Sequence, residues 1–232
     1  MISTQKKTSN ISIIVPTLNE ADNLSLLQTA AAEVNELIVA DGGSTDGTVK
    51  MARDLGYRIL EVSGTGGRGM QLNIGADNAS SEILLFLHAD TLLPSDFSSR
   101  VQSCLDDPGN SLGAFSLKVD SGGFLLRCIV TFANLRSRLL SLPYGDQSLF
   151  MRRNDFLKIG GFAEVPIMED FILVKAAKKR GKIRTLPQTV TTSGRRWQRL
   201  GPIRTTFVNQ LVVLGYYMGI SPRKLAAFYR KK

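Results

Sequence analysis

Short β-branched runs alternate with helical patterns along the first half of the chain, and this alternation limits the fold more than any other feature. Ile11-Ser-Ile-Ile-Val15, Glu36-Leu-Ile-Val-Ala40, Tyr57-Arg-Ile-Leu-Glu-Val62 and Ile83-Leu-Leu-Phe-Leu87 have the length and apolar content of buried strands. Between them, residues 21–34, 46–55 and 69–79 read as helices, the second stopped by Gly56. Such a sequence implies an α/β fold with βαβ crossovers and a mainly parallel open sheet flanked by helices. Ligands of these sheets bind at the carboxyl ends of the strands, here the loops after Val15, Ala40, Val62 and Leu87. The rhythm then changes. Leu112 to Val119 and Gln147 to Arg152 read as strands, and residues 124–140, 168–180, 204–218 and 222–230 as helices. With no repeat or low-complexity linker, a single domain is expected over 1–232, with a first half at about 11–118, a second half at 119–200 and a basic helical extension at 201–232.

The chain has 232 residues, 43% of them hydrophobic and 21% charged, which excludes disordered and collagen-like classes. Its net charge of +9 suggests a nucleic-acid binder until it is counted by position. No acidic residue follows Asp170, so residues 1–170 carry a net −6 and residues 171–232 a net +15. A basic end of this kind asks for an anionic partner: a small phosphate ligand, a lipid surface or a nucleic acid. No RNA-binding aromatic motif or recognition-helix pattern favours the last. Cys104 and Cys128 form no metal-ligand cluster and read as reduced thiols. The polar first ten residues lack a signal-peptide pattern, and residues 207–220 are shorter than the ~20 a spanning helix needs, so the expected location is cytoplasmic, with peripheral attachment to the inner membrane face left open.

The strand-end loops carry candidate chemistry. Pro16-Thr17-Leu18-Asn19-Glu20 reads by itself as a strand exit in which Asn19 caps the next helix. In Asp41-Gly42-Gly43-Ser44-Thr45-Asp46-Gly47-Thr48, Asp41 at the strand tip is placed to pair with a base N–H or ribose hydroxyl, and Asp46 reads as a helix cap. Gly64-Thr-Gly-Gly67-Arg68-Gly69 opens a helix and offers backbone N–H groups and a cation to a diphosphate, although it matches neither a P-loop nor a dinucleotide fingerprint. In His88-Ala89-Asp90, Asp90 suits a hard divalent cation, while His88 is either a second ligand or an ordinary turn histidine. Glu169 and Asp170 are either first-turn partners of a helix dipole or a general base. Arg195, Arg196 and Trp197 are either a solvated loop or a segment that folds over a diphosphate.

Taken in order, the Pro16–Glu20 and Asp41–Thr48 segments, Gly67-Arg68 leading to Asn73 and Gly75, His88-Ala89-Asp90, Gly160-Gly161-Phe162 and Glu169-Asp170 resemble a family 2 glycosyltransferase of GT-A fold. The resemblance covers roughly residues 11–200 and is far more specific than any one motif. It implies transfer of a sugar from a nucleotide-diphosphate sugar to an acceptor hydroxyl with inversion. It places Pro16, Thr17, Glu20, Asp41, Arg68, Asn73, His88, Ala89, Asp90, Arg195, Arg196 and Trp197 on the donor side, Mg2+ or Mn2+ on Asp90, and the catalytic base on Asp170 beside Glu169. Asp146 is an acceptor-side candidate or a turn residue.

Three departures stand out. His88 replaces the first Asp of D-x-D, Arg68 replaces the common Lys, and Ser193-Gly194-Arg195-Arg196-Trp197 lacks the Gln of processive members, which implies non-processive transfer. Tyr144-Gly145-Asp146-Gln147 together with Arg-Arg-Trp is similar to a short bacterial branch of mostly unassigned substrate. Other classes remain open at this stage: a sugar-phosphate nucleotidyltransferase, although its Gly-rich, Lys-containing first loop is missing, or a non-catalytic basic binding module. Arg223, Lys224, Arg230, Lys231 and Lys232 around Tyr216, Tyr217 and Phe228 suit an anionic membrane surface, with a lipid-linked or amphipathic acceptor, or else a homodimer contact.

Overall fold

Eight strands form one sheet: β1 (Ser9–Thr17), β2 (Val34–Asp41), β3 (Arg58–Glu61), β4 (Ile83–Phe86), β5 (Thr91–Leu92), β6 (Asn110–Val119), β7 (Phe150–Arg152) and β8 (Lys182–Thr192). The computed structural model describes residues 9–62, 67–120, 123–195, 197 and 201–230. The sheet order is β3-β2-β1-β4-β7-β6-β8-β5. The first four strands pair in parallel, as their alternation with helices implies. Beyond β4 the sheet is mixed: β7 runs antiparallel to both β4 and β6, β6 and β8 are parallel, and β5 is antiparallel to β8.

β1 is buried on both faces, and its period-2 alternation feeds two cores. Ile11, Ile13 and Val15 pack on one side with Leu24, Val39, Phe97 and Phe115, whereas Ile14 packs on the other with Ile38, Leu72, Phe86 and Phe156. The helices covering these faces are α1 (Gln28–Ala31), α2 (Thr48–Asp54), α3 (Gly67–Asp77), α4 (Phe97–Asp106), α5 (Phe124–Leu140), α6 (Arg153–Ile159) and α7 (Glu169–Lys178), while α8 (Pro202–Tyr217) and α9 (Pro222–Arg230) meet Met168 and Phe171 in a third, smaller core through Val212 and Leu225.

Four differences from the sequence expectation have physical causes. Residues 21–34 are not one helix: Ala21–Leu27 is a 3-10 helix that buries Leu24 and Leu27, three residues apart as the tighter winding requires, and only α1 follows. The strand expected from Gln147 starts at Phe150, because Gln147 is buried in a 3-10 turn, its Nε2 donating to the Phe115 carbonyl at 2.9 Å. β8 is too polar to read as a strand and contains Pro187. Its pairing with β6 shifts register where Phe115 opposes Leu186 and Ser116 opposes Thr189, so Pro187 sits in a bulge and costs no ladder bond. Helices α4 and α6 also went unassigned.

Helix α3 lies close against β1 because Gly75 has no side chain; a Cβ there would stand 2.4 Å from Ile14 Cγ2. Gly75→Ala in a helix normally gains stability by about 1 kcal/mol. Here overpacking reverses the sign, and we expect a net loss of about 1–3 kcal/mol in urea denaturation, with the Gly75→Ala/Ile14→Ala double variant losing less than the sum of its two single variants.

Candidate active site

The tips of β1 and β2 are tied together by buried polar groups. The Asp41 carboxylate, 2% exposed, accepts from Thr17 Oγ1 (3.0 Å), Ser44 Oγ, and the Gly43 and Ser44 N–H groups (3.0 and 2.8 Å). Gln71, reaching in from α3, donates Nε2 to the carbonyls of Thr17 and Ala40 at 2.7 and 2.9 Å. Asp41 is therefore the organiser of the 42–44 loop, since direct contact with a nucleoside must displace one of four donors. Gln71 was not anticipated; a polar residue on the inner face of a Gly-rich helix start is its only sequence signal.

Asn19 does not cap a helix. In a left-handed conformation (φ +58), it donates its N–H to Ser44 Oγ (2.8 Å) and accepts at Oδ1 from the Thr45 N–H (2.9 Å), joining the first two loops. Asp46 does cap, one residue early: its carboxylate accepts from the Thr48 N–H at 3.0 Å, and this bonding with Thr48 holds its pKa below the usual aspartate range. Pro16 lies half-buried at the β1 end beside these loops.

A second cluster forms where β5 and β8 meet. Thr91 stands opposite Thr192, with their hydroxyls 3.1 Å apart, and this pairing delivers Arg195 to the β4 end of the sheet. Its guanidinium lies 3.4 Å from Asp90 Oδ2 and 3.9 Å from Glu20 Oε2. Partial burial pushes the Glu20 carboxyl up, the nearby Asp90 charge adds to this, and Asn23 and Arg195 oppose it. Arg195 thus bridges two carboxylates on the rim. Arg196 and the loop 63–66, including Gly64, fall outside the described residues.

The third cluster joins donor-side and acceptor-side loops. Arg68, at the start of α3, forms an ion pair with Glu169, which is 3% exposed, and its Nη1 lies 3.2 Å from His88 Nε2. Arg68 is thereby committed to Glu169, and Glu169 is a buried ion-pair partner and not a group open to solvent. Met168, left-handed at φ +70, turns the chain so that Glu169 points inward under Arg68. Asp170 is held by the N–H groups of Gly145 and Phe171, both at 2.7 Å. A Cβ on Gly145 would approach Asp170 Oδ2 to 3.0 Å, so this glycine permits the close approach.

Arg68, His88, Asp146, Glu169 and Asp170 form the polar wall of a cavity of about 400 Å³, and Tyr144, Met168, Phe171, Val212 and Tyr229 its apolar walls. Asn73 is elsewhere. Its side chain makes two bonds to the Phe162 backbone, at 2.8 and 2.9 Å, clamping the Gly160-Gly161-Phe162 turn onto α3, so its amide is spent on structure and not on a donor. Ala89 is buried. Trp197 lies away from the strand tips, in a groove between α5 and α8 that also contains Tyr144 and Asp146. Among the described residues no group of three or more His, Cys, Asp or Glu side chains could cage a metal.

The order of the sheet and the placing of its strand-end loops are those of a GT-A fold. Glucosyl-3-phosphoglycerate synthase from Mycobacterium tuberculosis, solved with Mn2+, UDP and glucosyl-3-phosphoglycerate, superimposes with a TM-score of 0.66 at 22% identity, over 93% of this chain and 82% of that one. The family model for glycosyl transferase family 2 matches residues 12–160, and the chain belongs to that family. Among curated relatives, glycosyltransferase AglE of Haloferax volcanii is 28% identical over 55% of this chain and 46% of its own length. The 4,4'-diaponeurosporenoate glycosyltransferase of Staphylococcus haemolyticus is 31% identical over 38% of this chain and 26% of its own. The chain thus spans less than half the length of these relatives.

Burial pushes the Glu169 carboxyl above the usual glutamate range, against the pull of Arg68. A carboxyl whose folded value exceeds its unfolded one gives stability that is fully present below the unfolded value and is lost as pH rises through the folded one. Arg68→Met removes the opposing charge, so its destabilisation should be small near about pH 4 and grow towards pH 8. There it should reach about 3 kcal/mol, the low end for a broken buried pair because Arg68 is partly exposed. Urea midpoints across that range check both sign and size.

Proposed function

We propose that the chain is an inverting, non-processive transferase that moves a sugar from a nucleotide-diphosphate sugar to an acceptor hydroxyl, with Asp170 as the general base. The observation that carries this reading is the position of Asp170 on the wall of a cavity shared with His88 and Arg68 from the donor-side loops. Its two backbone N–H bonds aim the carboxylate while leaving lone pairs for an acceptor O–H. As the acceptor oxygen forms its bond to the anomeric carbon, Asp170 takes the hydroxyl proton, and the bond from that carbon to the diphosphate oxygen breaks on the opposite face. Attack opposite the leaving group inverts the anomeric configuration.

On the donor side, Pro16, Thr17, Glu20 and Asp41 frame the nucleoside loop, and Arg195, an exposed cation beside Asp90 and Glu20, is available to the charge that develops on a diphosphate. Asp90 suits Mg2+ or Mn2+ as a single strand-end carboxylate, the mode in which substrate phosphates and water complete the shell. A hard cation held there supplies charge neutralisation to the diphosphate. Arg195, 3.4 Å from Asp90, must then swing aside towards the phosphates. The acceptor side is amphipathic: Tyr144 and Asp146 line both the cavity and the Trp197 groove, which suits an acceptor with an apolar portion, including a lipid-linked one.

Asp170→Asn should retain donor binding by calorimetry while transfer falls at least about 100-fold, the lower range for loss of a general base; full activity would remove Asp170 from this role. UDP- or GDP-sugars with Mn2+ should raise the melting temperature of the wild type but not of Asp90→Ala, and oligonucleotides should not raise it. Product NMR showing retained anomeric configuration would refute direct displacement.

A further inference from the structure

Helix α5 is built inside out. Its polar side chains face the sheet: Asn134 bonds both the N–H and the carbonyl of Leu117 (2.7 and 2.9 Å), Ser137 meets the Thr185 hydroxyl at 2.6 Å, and Arg138 donates to Ser116 Oγ at 2.8 Å. Asn134 thereby satisfies the edge of β6 that the three-residue β7 leaves open. The apolar stripe instead points outward: Phe124, Phe132, Leu135 and Leu139 are exposed, the first to 83%. An amphipathic helix normally turns such a stripe to the core.

Helix α8, which flanks the same groove, repeats the pattern. Ile203, Phe207, Leu211, Leu214 and Met218 are exposed and recur at offsets of 4, 8, 11 and 15 residues; the exposed residues of α5 stand at 8, 11 and 15 from Phe124. Two adjacent helices therefore present one apolar surface, with the only tryptophan, Trp197, in the groove between them. The exposed charge flanking this surface is cationic, and the carboxylate in the groove, Asp146, is partly buried. No acidic residue lies between Asp120 and Asp146 or after Asp170, while Arg127 and Arg204 are exposed on these two helices.

We infer that the α5–α8 face docks on an anionic lipid surface. Apolar side chains enter the acyl boundary and the flanking cations meet lipid phosphates, the usual combination for a helix lying in the interface. Charge complementarity selects this occupant over a second copy, since two such faces apposed bring the exposed Arg127 and Arg204 of each copy together, with Asp146 recessed in the groove. No helix among the described residues is long and apolar enough to cross a membrane. Of the C-terminal aromatic residues expected at such a surface, Tyr217 and Phe228 are exposed and Tyr216 is stacked on Phe171 at 5.5 Å, while Leu225 and Ala226 of α9 are buried. The opposite side of α8 brings Asn209, Val212 and Val213 to the cavity of Asp170. If the transfer reading holds, docking keeps that cavity one helix away from the headgroups, where an amphipathic acceptor resides; docking itself does not depend on that reading.

The test is sedimentation of the full chain with phosphatidylglycerol/phosphatidylcholine vesicles against phosphatidylcholine alone, with no donor or acceptor present. Binding should be confined to the anionic vesicles, weaken with salt, and shift the Trp197 emission to the blue. Phe132→Ser/Phe207→Ser should lower the partition coefficient at least about tenfold, while Leu157→Ser, an exposed apolar residue on α6, should not. Because the substituted side chains are exposed, circular dichroism and melting should be unchanged. Failure of the wild type to sediment with anionic vesicles, or binding indifferent to the double substitution, overturns the inference. So does a dimer in light scattering that the same substitutions split, with no vesicle binding. None of these results touches the assignment of Asp170, which is read from turnover.

Discussion

The ion pair between Arg68 and Glu169 holds the two halves of the site in one place. The partners are 101 positions apart in sequence, at the amino ends of α3 and α7. Each end brings a neighbour that matters: α3 carries Gln71, which stitches the tips of β1 and β2, and α7 carries Asp170. The Asn73 clamp on Phe162 acts about one and a half turns further along α3 and fixes the same relation between the halves. A buried carboxylate is costly unless paired, so the contact also selects one arrangement of these helices, because sliding α7 along α3 would strand Glu169 without a cation.

Charge then sorts the site into compartments. The donor side holds carboxylates at Glu20, Asp41 and Asp90, of which Asp41 is fully used within its loop while Glu20 and Asp90 share Arg195. The acceptor side places Asp170 against apolar walls from Tyr144, Phe171 and α8. The overall charge of +9 hides this division between a carboxylate-lined site and an apolar, cationic exterior on the far side of α8.

Legibility in the sequence followed the kind of signal. The strands β1 to β4 were readable because β-branched runs buried on both faces leave a continuous apolar signature, and α5 and α9 were readable to the residue from their flanking Gly and Pro. β8 was not, since its pairing with β6 tolerates polar residues and a proline at a bulge. That omission mattered, because the β5–β8 pairing is what brings Arg195 to Asp90. The stripe on α5 was readable as amphipathic, but not which way it faced.

The sequence by itself determined the class of fold, the strand ends as the place of chemistry, and the family motifs there, because each is a local pattern of period, turn residue and charge. Tertiary structure alone decided which polar residues are spent on architecture and which remain for a ligand. Asn73, Asp41 and Glu169 look like site residues in the chain, yet their side-chain atoms are occupied by Phe162, the 42–44 loop and Arg68. The physical reason is that a buried polar group must find a partner, and its partner is a property of the three-dimensional neighbourhood, not of the residues beside it in sequence.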